Sequence, residues 1–160
     1  MNYVVWLIAG VLLGGVLLLY ARAHGIKGEK RILSVALVIA AVIYIGFAFV
    51  WGNTAWIAIE IAGVPAYGVF VWLAIRHSFY WLAVGWGFHP AWDVVLHLLG
   101  PGHAIVPEWY AVACISFDLL VAGYILARTM KSKNDRVVDK PIRPDDSADA
   151  ARLKSTIEAG

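Results

Sequence analysis

The chain has 160 residues, 61% of them hydrophobic and only 15% charged, with a formal net charge of +2. A soluble domain sits nearer half apolar and a quarter charged, so this excess is too large for one small core to hide. The single cysteine, Cys114, excludes an internal disulfide, and nothing in so small a net charge points to a nucleic-acid partner.

The apolar residues come in runs. Five segments have membrane-spanning length: Tyr3–Tyr20, Ile32–Val50, Ala55–Ile75, Phe79–Leu99 and Val106–Ala127. Each holds roughly 18 to 22 residues, close to what a helix needs to cross a hydrocarbon core of ~30 Å. Helix is the sensible reading, because each segment must satisfy its backbone hydrogen bonds internally. The expected fold is therefore all-α, a bundle of five transmembrane helices over 1–127. A charged tail over 128–160 follows, too polar to order itself apart from a short helix near Ala148–Ile157. The connections are short except the first, Ala21–Arg31.

Orientation follows from the cations. Arg22, Lys27, Lys30 and Arg31 fall in the first connection, Arg76 in the third, and every other Lys and Arg in the tail. The N-terminal residues and the second and fourth connections carry none. The positive-inside rule then places the N-terminus outside and the C-terminus in the cytoplasm. A cleavable signal peptide is the rival reading of the first segment, with Ala21-Arg22-Ala23 as a cleavage site. No basic residue precedes that apolar run and several follow it, the reverse of a secretory signal. Trp6, Trp51, Trp56 and Trp109 fall near the outer interface, and Trp72 and Trp81 near the inner one, as in an aromatic belt. Trp86 and Trp92 lie deeper and read as packing residues.

Gly10 and Gly14 form a small-xxx-small pair in the first segment. Such a pair lets another helix approach closely, within the chain or in a homo-oligomer. His24 and His77 read as solvated loop residues beside basic neighbours.

Ionisable residues inside the spans carry the functional signal, since charge in hydrocarbon is costly unless it is paired or faces a wet interior. Glu60, His89, Asp93 and Asp118 lie well inside, and His97 and Glu108 lie near the outer ends of their segments. At ~1.5 Å per residue, Glu60 and Asp93 sit roughly 8–9 Å below the outer boundary, and His89 and Asp118 roughly 15–18 Å below it. All belong to the outer half. His89, Asp93 and His97 recur every four residues, so they share one face of the fourth helix. Two ligands at i and i+4 can hold one metal ion. His89 and His97 are about 12 Å apart along a straight helix, too far for one ion to take all three. Asp93 then partners one histidine, bridges two ions, or joins a proton relay. Pro90 frees the carbonyl of Trp86 and predicts a bend or two half-helices, eased by Gly85 and Gly87.

Imidazole with carboxylate suits zinc, iron or manganese. This reading gives His89, Asp93 and His97 as metal ligands and Glu60 and Asp118 as catalytic carboxylates. Cys114 lies one turn from Asp118, and a lone buried cysteine reads as packing. The structural alternative is that the carboxyls and histidines only fix helix register. Three functions are left open. One is a metal-dependent hydrolase of a lipid-like substrate. Another is a proton- or cation-handling transporter subunit. The last is a non-catalytic partner in a larger membrane complex.

The run Gly85-Trp86-Gly87-Phe88-His89-Pro90-Ala91-Trp92-Asp93, continuing to His97, resembles a known family. So do Pro107-Glu108-Trp109-Tyr110 and Cys114-Ile115-Ser116-Phe117-Asp118, the latter leading into Ala122-Gly123-Tyr124. The family is the small multi-pass bacterial membrane proteins catalogued as domain of unknown function (DUF) 6010. The resemblance runs from about the second helix to the fifth. It implies a helical protein of a bacterial inner membrane and supplies no activity.

The orientation is open to a direct check. A fluorescent-protein fusion at the C-terminus is expected to fluoresce, and an alkaline phosphatase fusion at the same place to stay inactive. The opposite pair of results would put the tail outside.

Overall fold

A computed structural model describes residues 2–138. Every regular element in it is helical: α1 (Tyr3–Ala23), α2 (Gly25–Trp51), α3 (Thr54–Arg76), α4 (Tyr80–Trp92) and α5 (Glu108–Val138). A π-helical segment (Asp93–Leu98) continues α4, and a 3-10 turn (Pro101–Ala104) follows it. By length and composition α1, α2, α3 and the Glu108–Ser132 part of α5 are each able to cross a membrane. α4 has only 13 residues. With its π continuation it reaches roughly a span's length.

The expected loop Ala21–Arg31 is helical instead. α1 ends at Ala23 and α2 begins at Gly25, leaving His24 alone between them. Gly25 has φ 69°, a conformation open to glycine at little steric cost, and it turns the chain within one residue. The charged run Lys27–Arg31 consists largely of good helix formers and makes up the first turns of α2. α3 starts conventionally, with the Asn53 side chain accepting from the backbone N–H groups of Ala55 and Trp56.

The fourth segment has the expected extent but not one geometry. Pro90 cannot donate to the Trp86 carbonyl, and from Asp93 onward the hydrogen bonds widen to the i→i+5 pattern, as in Leu99 N–H to the Val94 carbonyl at 2.9 Å. Such π segments recur inside α-helices at functional sites. α5 runs on past Arg128 to Val138, so the tail is helical at its start. Neither Pro nor Gly falls between Arg128 and Val138. The helix expected near Ala148–Ile157 lies outside the described residues. The chain divides into two compact units, Met1–Thr129 with the helical bundle and Met130–Gly160 with the charged C-terminal part.

The bundle is apolar outside and polar at its centre. Leu12, Leu13, Val16 and Leu19 are more than 60% exposed, whereas Glu29, Ser34, Glu60, His89, Asp93, His97 and Asp118 are all under 9%. This is the inverse of a soluble domain, where charged residues are almost never fully buried. One apolar cluster, built around Leu33, Leu37, Leu82, Trp86, Val121 and Ile125, fills the interior at one end. A smaller one around Tyr44, Ala48, Ile105, Val106 and Ala111 fills the other. Trp86 lies wholly buried and donates its indole N–H to the Leu33 carbonyl at 3.2 Å, so this deep tryptophan ties α4 to α2.

Gly10 and Gly14 are buried against α5 of the same chain. The Ser116 hydroxyl donates to the Leu7 carbonyl at 2.8 Å across that contact. A Cβ on Gly10 would run into the Ala113 carbonyl and the Ser116 hydroxyl, while one on Gly15 would meet nothing. Backbone cannot yield as a side chain does, so Gly10→Ala is expected to cost about 1–3 kcal/mol. Gly15→Ala should be neutral or slightly stabilising. Thermal unfolding of the purified variants checks both, and equal midpoints would refute this helix contact.

Candidate functional site

The ionisable residues gather where the two apolar clusters meet, and they form two groups. In the first, His89 Nδ1 lies 3.0 Å from Asp118 Oδ2 and 3.5 Å from Asp93 Oδ2. The candidate ligand atoms of His89, Asp93 and Asp118 all lie within 4.8 Å of one another. In the second group, His97 Nε2 lies 3.1 Å from Glu60 Oε1. Sequence spacing placed His97 on one face with His89 and Asp93. The π segment explains its departure. A wider turn holds more residues than an α turn, so His97 is rotated away from Asp93 and faces α3. Asp118 on α5 takes its place beside His89.

Neighbouring elements hold the second group in position. Trp92 donates its indole N–H to Glu60 Oε2 at 3.4 Å, which gives the second deep tryptophan a role beyond packing. The 3-10 turn closes over His97, with the Gly102 carbonyl 3.5 Å from Nδ1. A side chain on Gly102 would strike His97 and Trp56, so this close approach requires glycine. When Nδ1–H points at a carbonyl, Nε2 of a neutral ring can only accept. Its contact with Glu60 Oε1 therefore needs one further proton, on the ring or on the carboxyl.

The first group is short of partners. His89 Nδ1, both oxygens of Asp93 and Asp118 Oδ2 are buried and lack hydrogen-bond geometry to any protein group, although they crowd together; in the second group only the facing atoms Glu60 Oε1 and His97 Nε2 do so. Buried polar atoms normally find a partner, and each exception calls for an explanation. Two carboxylates around one imidazole also carry excess negative charge in a site sealed from water, which a proton or a cation would offset. Ligand atoms around one ion at ~2.1 Å lie within roughly 4.2 Å of each other. Small side-chain movements bring these three to that spacing.

Two tyrosines that sequence reading overlooked complete the site. Tyr44 and Tyr67 are 1% and 2% exposed, and neither hydroxyl has a partner. The Tyr44 ring packs on both His89 (5.3 Å between centroids) and His97 (5.0 Å), linking the two groups. Tyr67 packs on His89 at 5.1 Å. Their depth was the available signal, since membrane tyrosines are enriched at the interfaces and not at mid-span. Beside the site, an apolar cavity of about 650 Å³ lies between α1, α2 and α5. Gly10, Leu13, Tyr20 and Ile43 are in its walls, Trp109 and Cys114 line it further, and Asp118 is its carboxyl.

The remaining candidates stand apart. Glu108 accepts from the Tyr3 hydroxyl at 2.6 Å, and His103 contacts the Gly100 carbonyl. His24 contacts the Tyr20 carbonyl, and His77 caps α3. Glu29, within the expected connection Ala21–Arg31, is 2% exposed. It accepts from the Tyr124 hydroxyl at 2.7 Å and from Arg128 at 3.1 Å.

These features define an all-α protein with several helices able to span a membrane and a buried imidazole–carboxylate centre. A model described as a family of unknown function (DUF6010) matches residues 5–131, and the chain belongs to that family. The match takes in α1 as well as the helices whose motifs carry the resemblance. No curated protein and no solved structure matches the chain.

The Glu60–His97 contact makes a quantitative expectation. In a double-mutant cycle with Glu60→Gln and His97→Asn, unfolding free energies should be non-additive by about 1–3 kcal/mol. That exceeds the ~0.6 kcal/mol average for polar contacts between membrane helices. Additivity within about 0.3 kcal/mol would mean that the pair is not coupled.

Proposed function

We propose that this chain is a five-span membrane protein, N-terminus outside, that holds a divalent metal ion at His89, Asp93 and Asp118 and acts on a lipid-like substrate. α4 with its π continuation serves as the fourth span, which makes the Lys and Arg distribution consistent with one cytoplasmic side. The observation that carries the metal reading is the convergence of three buried ligand groups, from α4, the start of the π segment and α5, whose facing atoms have no hydrogen-bond partners. One imidazole and two carboxylates suit zinc, iron or manganese. A bound ion of this kind supplies Lewis acidity and an activated water for hydrolysis.

Access supports the substrate class. The apolar cavity reaches Asp118 from the flank of the bundle, where a bilayer presents hydrocarbon rather than water. A substrate entering there would carry an alkyl chain and bring its polar bond to the Asp118 side of the centre. The Tyr44 and Tyr67 rings pack on His89, and their buried, unpartnered hydroxyls are further donors in the interior. Glu60, paired with His97 across Tyr44, is the carboxylate available to accept a proton.

Proton or cation handling is the second reading. It is favoured by the continuous stack from His97 through Tyr44 and His89 to Tyr67, because each member can carry a proton.

Elemental analysis of protein purified without chelators separates the two. Wild type is expected to hold about one equivalent of zinc, iron or manganese, and Asp93→Ala and Asp118→Ala to lose it. His97→Ala should retain the metal, since His97 stands outside the ligand group. Metal-free wild type would overturn the metal reading. Proton uptake by proteoliposomes that is abolished in Asp118→Asn would then establish the second.

A further inference from the structure

A second cavity, of about 460 Å³, lies between α2 and α3 at the opposite end of the bundle from the 3-10 turn. Its α2 wall is one helix face. Lys27, Lys30, Arg31, Ser34, Val35 and Val38 all line it, at the three- and four-residue spacing that stacks side chains on one side. The face changes character along its length. Three cations lie at its mouth, Ser34 at the junction, and valines beyond, opposite Val71 and Ile75 of α3. From Lys27 to Val38 it runs roughly 16 Å, about half of a ~30 Å hydrocarbon core and so one leaflet deep.

The cations are uncompensated. Among the described residues none of the three forms an ion pair, and the neighbouring acid, Glu29, is turned to the other side and held by Arg128 and Tyr124. Ser34 is 6% exposed and its hydroxyl has no partner. A buried donor placed between a cationic mouth and an apolar channel matches the ester region of a phospholipid, with phosphate above and an acyl chain below.

We infer that this groove binds an anionic phospholipid, with its phosphate on Lys27, Lys30 and Arg31 and one acyl chain along Val35, Val38, Val71 and Ile75. The site is independent of the metal centre. Only its assignment to the cytoplasmic leaflet rests on the orientation proposed above. There anionic lipid is abundant and each basic residue near the surface adds to the attraction.

Native mass spectrometry of the full chain in mild detergent tests this, with phosphatidylglycerol and phosphatidylcholine as probes. Phosphatidylglycerol is expected to bind one-to-one and to be retained in preference to phosphatidylcholine. Lys30→Gln/Arg31→Gln should weaken it by about fivefold for each cation removed. Val38→Trp should also weaken it by filling the groove while leaving the charges in place. Arg76→Gln, which removes one cation outside the groove, should leave binding as in wild type. Equal retention of both lipids, or unaltered binding in Val38→Trp, would overturn the proposal. So would displacement by soluble glycerol phosphate, which would indicate a site for free phosphate.

Discussion

The arrangement of this protein depends on one constraint: carboxyl groups placed among apolar helices must meet imidazoles, hydroxyls or cations. Asp93 and Asp118 meet His89, Glu60 meets His97 and the Trp92 indole, and Glu29 meets Tyr124 and Arg128. An isolated buried charge is costly, so a carboxyl in this interior is either met by such a partner or held neutral. Elsewhere in the bundle most helix–helix contacts are apolar, apart from those of Trp86 with the Leu33 carbonyl and of Ser116 with the Leu7 carbonyl, and apolar contact alone specifies register less strictly. The polar contacts are stricter, so they select the register in which α3, α4 and α5 face each other.

The three polar groups are not equivalent. Around Glu29 every partner is accounted for, and its companion Arg128 is 42% exposed at the side chain. That group reads as an anchor between α2 and α5. The Glu60–His97 pair is braced by an indole and by a glycine-bearing turn. At His89, Asp93 and Asp118 the atoms crowd together without hydrogen-bond geometry. The facing atoms Glu60 Oε1 and His97 Nε2 are unpartnered as well, but the last group gathers three ligand residues and borders a cavity large enough for a substrate chain. Fully satisfied polar networks specify structure, whereas incompletely satisfied ones mark places where something else binds or reacts.

The π segment connects local sequence to the site. Pro90 deletes one hydrogen bond of the α4 ladder, and the wider turn that follows carries Asp93 and His97 to different neighbours. Without it the four-residue spacing of His89, Asp93 and His97 would put all three on one face, as a straight helix requires. Backbone geometry thus sorts a single run of ionisable residues into two centres, with Tyr44 packed between their imidazoles.

Much was legible in the amino-acid sequence. The all-helical architecture, the approximate extents of the helices and every buried ionisable residue but Glu29 follow from apolar run lengths and from the rarity of charge within them. Those are local properties, and hydrocarbon-length helices leave the backbone little choice. The partners of those residues were not legible. Asp118 belongs with His89, His97 belongs with Glu60, and Glu29 is interior, because helix rotation, the π turn and the single-residue hinge at His24–Gly25 decide which side chains meet. Tyr44 and Tyr67 were hidden for the same reason: a tyrosine in an apolar run looks like packing until tertiary structure sets its ring against a buried imidazole. Glu29 apart, sequence alone determined which ionisable residues had to be buried, through the energetics of charge in an apolar medium. Only the tertiary structure decided what they were buried against, since that depends on distances between helices far apart in the chain.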